Sequence, residues 1–243
     1  MSNTKDDRTS DDILRAWVER DLTAAAAAGE LAPAFEVGDH LQRIEDVLAS
    51  GHHPVVGGES GVGKTALVHE LARRVAAGRG PAELQGRRLL QISLRQRAAG
   101  LLKPEQLRPE LQRLLEVLFE RDDELALFFR DMHQAWAFDL EPQLQVLGYR
   151  FRGPILGEGD LRLLRAMFEG TPELEQHYLL IDVAEPSPEA MERLLRAWSA
   201  HQADTRGALF DPRALTSALE LTHRFLARDR LPRKAVDLLH QVR

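Results

Sequence analysis

The chain has 243 residues, of which 44% are hydrophobic, 29% charged and 6% aromatic, a composition typical of a soluble globular protein with a sizeable core. The formal net charge of −6 disfavours nucleic acid as a partner, and the absence of cysteine excludes disulfides, thiolate metal sites and cysteine nucleophiles. Residues 1–12 are polar and acidic, and neither a signal peptide nor a run of about 18 apolar residues is present. We therefore expect a disordered leader over 1–12, no membrane span and a cytoplasmic protein.

Hydrophobic periodicity predicts helices alternating with strands. In chain order, helices are expected over 13–28, 41–48, 65–77 and 105–119. Short apolar runs bounded by turn residues predict strands over 53–57, 89–94, 125–129, 145–151 and 178–183. This alternation indicates an α/β fold with a mostly parallel sheet. Beyond a boundary near residue 187 the pattern is only helical, over 188–200, 211–226 and 232–242.

One motif points directly to chemistry. Gly58-Glu59-Ser60-Gly61-Val62-Gly63-Lys64-Thr65 matches the P-loop pattern of a glycine, four residues and then Gly-Lys-Thr. It follows a predicted strand and opens a predicted helix, which is the context that this motif requires. The glycines allow successive backbone N–H groups to face a di- or triphosphate. Lys64 would then reach the β and γ phosphates, and the Thr65 hydroxyl would coordinate magnesium.

The sequence around this motif resembles a known family. Residues 54–94, PVVGGESGVGKTALVHELARRVAAGRGPAELQGRRLLQISL, are similar to the first ATPase domain of the Clp/Hsp100 unfoldases, a branch of the AAA+ family. The similarity runs from Leu22 to the end of the chain, apart from a poorly matching stretch over 134–170. It implies an α/β nucleotide-binding domain over 13–187, a small all-helical lid domain over 188–243, and ATP with magnesium as cofactors.

Several working parts of that family are altered in this chain. The family's adenine-gripping segment ends in Ile-Gly-Arg, where this sequence has Phe35-Glu36-Val37. Its substrate-pulling loop carries an aromatic residue, whereas the matching residues 100–105 contain none. We therefore expect altered contacts to the base and no threading grip on unfolded chains.

The Walker B segment, which should end in Asp-Glu, is also altered. Without a gap, Arg130 replaces the magnesium-binding Asp and Asp131 the catalytic Glu; a shift of one residue makes Asp131 the magnesium ligand and puts Met132 in the catalytic position. Either way one acid is missing, and Asp131 is the candidate catalytic acid. A weaker alternative is the second apolar run that ends in an acid, Tyr178–Asp182, although the residues after it match the family's last core strand.

Three further groups of the family have weak counterparts here. The polar sensor 1 residue would fall in Gly153-Pro154-Ile155-Leu156, which offers no side-chain hydrogen bond to a γ-phosphate. The trans-acting arginines would fall in Leu174–Tyr178, which contains none, and such a group contributes about three to five powers of ten in rate. Arg233 or Lys234 could approach the phosphates as a sensor 2, the alternative being a solvated basic face.

These observations predict a nucleotide-binding AAA+ module with weak or absent hydrolysis, acting as a regulatory or structural partner in a larger assembly. Its partners would be proteins, either an intact AAA+ relative or further copies of itself. The alternative is an active ATPase or chaperone subunit of a homo- or hetero-oligomeric ring, with Asp131 as its acid. A scaffold with an empty P-loop is the third reading. The predicted nucleotide contacts are residues 58–65 and Lys234, with Thr65 as the metal ligand.

Overall fold

The computed structural model describes residues 9–226 and 229–241. Within these ranges six strands form one sheet in the order β1-β3-β4-β5-β2-β6, and all neighbouring pairs are parallel except β1 and β3. The strands are β1 Val18–Asp21, β2 His53–Gly57, β3 Arg88–Ile92, β4 Leu125–Phe129, β5 Ile155–Gly159 and β6 Tyr178–Asp182.

Helices connect the strands and make up the last part of the described chain. Before β6 they are α1 Ser10–Trp17, α2 Leu22–Ala27, α3 Gly38–Ala49, α4 Lys64–Ala76, α5 Leu94–Ala99, α6 Leu107–Glu120, α7 Gln134–Ala137, α8 Glu141–Arg150 and α9 Leu161–Gly170. After β6 they are α10 Pro188–Arg206, α11 Pro212–Phe225 and α12 Arg233–Gln241. None of the described helices combines the length and apolar composition that crossing a lipid bilayer requires. The predicted fold class, an α/β core with a mostly parallel sheet followed by a small all-helical region, is confirmed.

The single helix predicted over 13–28 is wrong, because strand β1 interrupts it. Val18 is paired with Ile92 at the edge of the sheet, and the Asp21 carboxylate lies 2.9 Å from the Arg88 guanidinium. The Asp21 side chain also accepts a hydrogen bond from Ala24 N, which caps α2. Backbone pairing with β3 thus overrides a locally helical pattern. Helix α1 begins at Ser10, inside the predicted leader, whose residues 1–8 lie outside the described ranges.

The strand predicted over 145–151 is also wrong, since residues 145–150 lie in α8 and Phe151 is its C-cap. Leu144 and Leu147, one helical turn apart, face the core. The fourth parallel strand is β5 instead, although its sequence Ile-Leu-Gly-Glu-Gly contains two glycines and an acid. Its five residues are nevertheless all buried, because β4 and β2 flank it on both sides.

The sheet separates two hydrophobic layers. On one face Val56, Phe128 and Leu156 pack against α3 and α4; on the other, Phe129 and Ile155 pack against α6, α8 and α9. A third cluster joins the last three helices, through Met191, Leu195, Trp198, Leu215 and Leu239. The P-loop follows the carboxyl end of β2, and the helix after it, α4, packs on the face of the sheet that carries Val56.

A candidate nucleotide site at the P-loop

The P-loop connects the carboxyl end of β2 to the first turn of α4. Gly61 and Gly63 have φ angles of 95° and 101°, which L side chains rarely adopt, so both turns depend on glycine. Gly63 is the N-cap of α4, and none of the described side chains caps that end. The first N–H groups of the helix are therefore available for an anion.

Lys64 folds back across this loop. Its ammonium Nζ donates hydrogen bonds to the carbonyl oxygens of Gly58 at 2.8 Å and Glu59 at 2.7 Å. Burial lowers the pKa of Lys64, and the nearby charges of Glu158, Asp160 and Glu59 oppose that shift. The ammonium is thus held close to the amides that would surround a phosphate.

Thr65 meets a carboxylate that the sequence analysis did not single out. Its hydroxyl Oγ1 lies 2.8 Å and 2.9 Å from the two carboxylate oxygens of Glu158 and donates to them. Glu158 lies near the end of β5 and is only 4% exposed. Burial raises its pKa to about 7, against the opposing effects of the Thr65 hydrogen bond and the Lys64 charge. The sequence signal that could have identified Glu158 is an acid within the short run Ile155–Gly159, but this run was not predicted to be a strand.

A cavity of about 1500 Å³ lies between the P-loop and the last helices. Its lining includes the P-loop, the segment 35–37, and residues of α10 and α12. Glu36 stands where the resembled family has glycine and has a left-handed φ of 56°. Its carboxylate lies 2.7 Å from the guanidinium of Arg193, and the ring of Phe35 lies 5.8 Å from that of His201. This segment therefore ties the core to α10 at the rim of the cavity.

Asp131 is bound at the start of helix α5. Its carboxylate accepts hydrogen bonds from Ser93 Oγ at 2.8 Å and from the backbone N–H groups of Leu94 and Arg95, both at 3.0 Å. Arg130 lies 3.5 Å from Glu19. Asp131 thus caps α5, and its assignment as catalytic acid stays a prediction.

His133 is a second cavity-lining residue that the sequence analysis missed. Its Nδ1 is buried without a hydrogen-bond partner in the described part of the chain. Burial lowers the pKa of His133, while Asp131 and Asp160 raise it. A neutral imidazole is thereby favoured at this wall of the cavity.

The other predicted groups occupy different positions. The segment 153–156, proposed for sensor 1, lies at the start of β5, so the residues at the strand end beside the P-loop are Glu158 and Gly159 instead. Asp182 lies on the edge strand β6, and its carboxylate is 3.3 Å from the Arg165 guanidinium. Tyr178 is completely buried and donates to the carbonyl oxygen of Leu144 at 2.8 Å.

Of the two sensor 2 candidates, Arg233 contacts the P-loop through its backbone. Its N–H donates to the carbonyl oxygen of Gly61 at 3.3 Å, while its guanidinium lies 3.4 Å from Asp237. Lys234 is 7% exposed, so it is no part of a solvated face. Its ammonium donates to Leu226 O at 3.3 Å and lies 3.9 Å from a carboxylate oxygen of Glu185.

Known proteins resemble this arrangement, although no family model matches the sequence. The chaperone protein ClpB of Corynebacterium efficiens is 30% identical over 231 residues, which cover 91% of this chain and 27% of that protein. ClpB of Propionibacterium freudenreichii is 29% identical over the same shares. The chain thus spans about a quarter of the length of these curated relatives.

Solved structures give the same result. The Saccharomyces cerevisiae Hsp104–ADP complex matches with a TM-score of 0.76 and 26% identity, over 93% of this chain and 32% of that one. The Hsp104–casein complex in its extended conformation matches with a TM-score of 0.75 and 26% identity, over 93% and 40%. The P-loop at the end of a parallel strand and the helices after the sheet are consistent with an AAA+ domain. The resemblance to the Clp/Hsp100 branch of that family, predicted from the sequence, is confirmed.

Proposed function

We propose that this chain binds ATP with magnesium at the P-loop and hydrolyses it slowly or not at all, as a regulatory or structural partner in a larger assembly. The observation that carries the proposal is the P-loop itself, with Gly61 and Gly63 in left-handed turns, an N-terminus of α4 that no described side chain caps, and Lys64 beside it. Such a group of amides and one ammonium stabilises a polyphosphate tail.

The cavity beside the loop has room for the rest of a nucleotide. Its volume of about 1500 Å³ exceeds the usual range for small-molecule sites, roughly 300–1,000 Å³. The Hsp104–ADP complex, of matching fold, is a nucleotide complex by its description. We therefore place the nucleoside between the segment 35–37 and the helices α10 and α12.

The residues present also fit magnesium. Thr65 and Glu158 bring a hydroxyl and a carboxylate together, and oxygen ligands of this kind suit Mg²⁺. No cluster of three His, Asp or Glu side chains suited to a metal occurs among the described residues. Magnesium would therefore be bound largely through the phosphates, which is its usual mode beside nucleotides. When bound, it would neutralise the charge of the phosphate oxygens.

Slow turnover is proposed because the groups that act on the transition state are replaced. Arg130 and Asp131 stand in place of the paired acids, and both Asp131 oxygens are engaged at α5. The segment 174–178 contains no arginine for a neighbouring subunit. Binding needs only the loop, whereas hydrolysis needs charge stabilisation in the transition state.

The test is calorimetric titration with ATP and magnesium, combined with an assay of phosphate release. We expect binding to the wild type with negligible release. Lys64→Ala should weaken binding at least about tenfold, because it removes charge-assisted hydrogen bonds to phosphate. Lys103→Ala, at an exposed lysine outside the cavity, is the matched control and should bind as the wild type does. No heat from the wild type, or steady turnover that Lys64→Ala abolishes, would contradict the proposal.

A working ATPase in a ring, built from copies of this chain or with an intact relative, is the second candidate. The observation favouring it is Glu158, which supplies an acid at Thr65 although Walker B is altered. Phosphate release that rises steeply with protein concentration, or on adding such a relative, would support this candidate instead.

A further inference from the structure

We propose that Glu158, on β5, is the carboxylate that positions magnesium at this site, in place of the acid missing after β4. The inference rests on the proposed function, nucleotide binding with magnesium, and assigns the metal-positioning role to one residue. Glu158 is a positioning residue here, because it would act on the metal through the Thr65 hydroxyl that it contacts.

The register of the sheet explains why Glu158 reaches the P-loop. β5 is the direct neighbour of β2, with Glu158 paired to Val56 and Gly159 to Gly57. The N–H of Gly58, the first residue of the P-loop, donates to the carbonyl oxygen of Gly159 at 3.2 Å. β4, which carries the altered Walker B segment, is one strand further away. β6 is the other neighbour of β2, but Asp182 at its end lies 3.3 Å from the Arg165 guanidinium, whereas Glu158 at the end of β5 contacts Thr65.

The alternation of side chains directs Glu158 to the correct face. Leu156, two residues earlier, packs in the hydrophobic layer beside α4, so Glu158 points to the same side. Thr65 lies in the first turn of α4 on that side, and its hydroxyl donates to both carboxylate oxygens of Glu158. The geometry thus joins a P-loop hydroxyl to one buried acid, a pair that a magnesium–phosphate complex requires.

The competing acids are engaged elsewhere. Asp131 accepts three hydrogen bonds at the N-terminus of α5. Asp160 caps α9, accepting from the N–H groups of Arg162 at 2.9 Å and Leu163 at 3.2 Å. Glu158 alone among these three acids contacts Thr65.

Charge provides the second argument. An ionised Glu158 beside the P-loop repels phosphate oxygens unless a cation lies between them. Lys64 is bound to the carbonyl oxygens of Gly58 and Glu59, so it does not form an ion pair with Glu158 in this structure. Magnesium would remove the repulsion, and nucleotide and metal should therefore bind with strong positive coupling.

The test measures the dissociation constant of a fluorescent ATP analogue in excess magnesium and in EDTA. The ratio of the two constants reports the coupling between metal and nucleotide. We expect a ratio of about tenfold or more for the wild type and a value near one for Glu158→Gln. In EDTA, Glu158→Gln should bind at least as tightly as the wild type, because it removes the repelling charge.

Two variants serve as comparisons. Asp160→Asn removes a negative charge that acts on Lys64 but keeps an N-cap for α9, so it controls for the loss of charge alone. Asp131→Asn tests whether the acid after β4 positions the metal instead. Both should keep the wild-type ratio. The inference is overturned if Asp131→Asn abolishes the coupling, if Glu158→Gln leaves the ratio unchanged, or if Glu158→Gln tightens binding equally in both buffers.

Should Glu158→Gln not fold, Glu158→Asp decides the question. Withdrawing the carboxylate by one methylene should raise the magnesium concentration for half-maximal coupling at least about threefold, and an unchanged midpoint would reject the role. A wild type that binds the analogue in neither buffer rejects the proposed function and this inference together. Binding with coupling that does not depend on residue 158 rejects the inference alone.

Discussion

Thr65 and Glu158 are 93 residues apart in the chain and are joined by hydrogen bonds of 2.8 Å and 2.9 Å. Thr65 could be identified from the spacing of the P-loop, because a phosphate cradle is made from consecutive residues. Glu158 could not, because its contact depends on β5 lying beside β2. At the other end of β2 and β5, a second titratable side chain is buried: His53 accepts a hydrogen bond from Ile155 N at 3.4 Å.

His53 is expected to make stability depend on pH. Burial is the main cause that lowers its pKa from 6.5 to about 4, and the charges of His177 and His52 add to it. The folded state thus binds a proton less readily than the unfolded state. The free energy of unfolding is therefore highest well above pH 6.5, where His53 is neutral in both states, and it falls as the pH decreases towards 4. Between pH 7.5 and 5 the loss should be about 2 kcal/mol.

Urea unfolding of the wild type and His53→Asn at both pH values measures this contribution. The variant keeps a side-chain acceptor but cannot titrate. Between the two pH values its free energy of unfolding should therefore fall by about 2 kcal/mol less than that of the wild type. Parallel pH dependences of the two proteins would contradict the interpretation.

Helix α5 and strand β4 illustrate how a residue expected in catalysis can serve an element instead. Asp131 follows β4 and accepts from Ser93 and from the first two N–H groups of α5. Ser93 in turn accepts from Gln96 N at 3.0 Å, so two side chains share the cap. The acid after β4 thus links that strand to the start of α5, which follows the neighbouring parallel strand β3.

Asp131→Ala is expected to lower the free energy of unfolding by about 2–3 kcal/mol, because it leaves donors of the cap without their acceptor. Asp131→Asn keeps one acceptor oxygen and should cost about half as much. Urea denaturation of the three proteins gives both values. Equal stabilities of Asp131→Ala and the wild type would show that the cap contributes nothing.

Across the whole molecule, the last helices are attached to the core at the P-loop. Glu185 accepts from Leu231 N at 2.8 Å and lies 3.5 Å from the Arg230 guanidinium, which also forms an ion pair with Glu59. The N–H of Arg233 donates to Gly61 O. Any movement of α12 should therefore be coupled to the loop that would hold the phosphates.

Glu185→Ala should loosen this attachment. Removing the acceptor of Leu231 N costs about 1 kcal/mol of local stability, so backbone hydrogen exchange in 229–241 should become about fivefold faster. Glu185→Gln keeps an acceptor, so its exchange rates should lie between those of Glu185→Ala and the wild type. Mass-spectrometric exchange measurements check this, and unchanged rates in Glu185→Ala would show that the contact does not restrain α12.

Most elements could be predicted from hydrophobic periodicity, since β2 and β4 have the predicted bounds and α4 begins within one residue of its prediction. The strand predicted over 145–151 is wrong because that segment is helical, and two further differences have a common reason. The helix over 13–28 is broken because β1 pairs with β3, and β5 is a strand because two neighbours bury it, despite its glycines and acid. Pairing between distant segments leaves little trace in the local pattern.

The P-loop and the order of helices and strands could be read from neighbouring residues, because amide cradles and amphipathic faces are local properties of a chain. The contacts of Thr65 with Glu158, of Asp131 with α5 and of Glu185 with the segment before α12 depend on which strands and helices lie side by side. The packing of the whole sheet sets those neighbours, so the acid that faces the phosphate loop became visible only once the chain was folded.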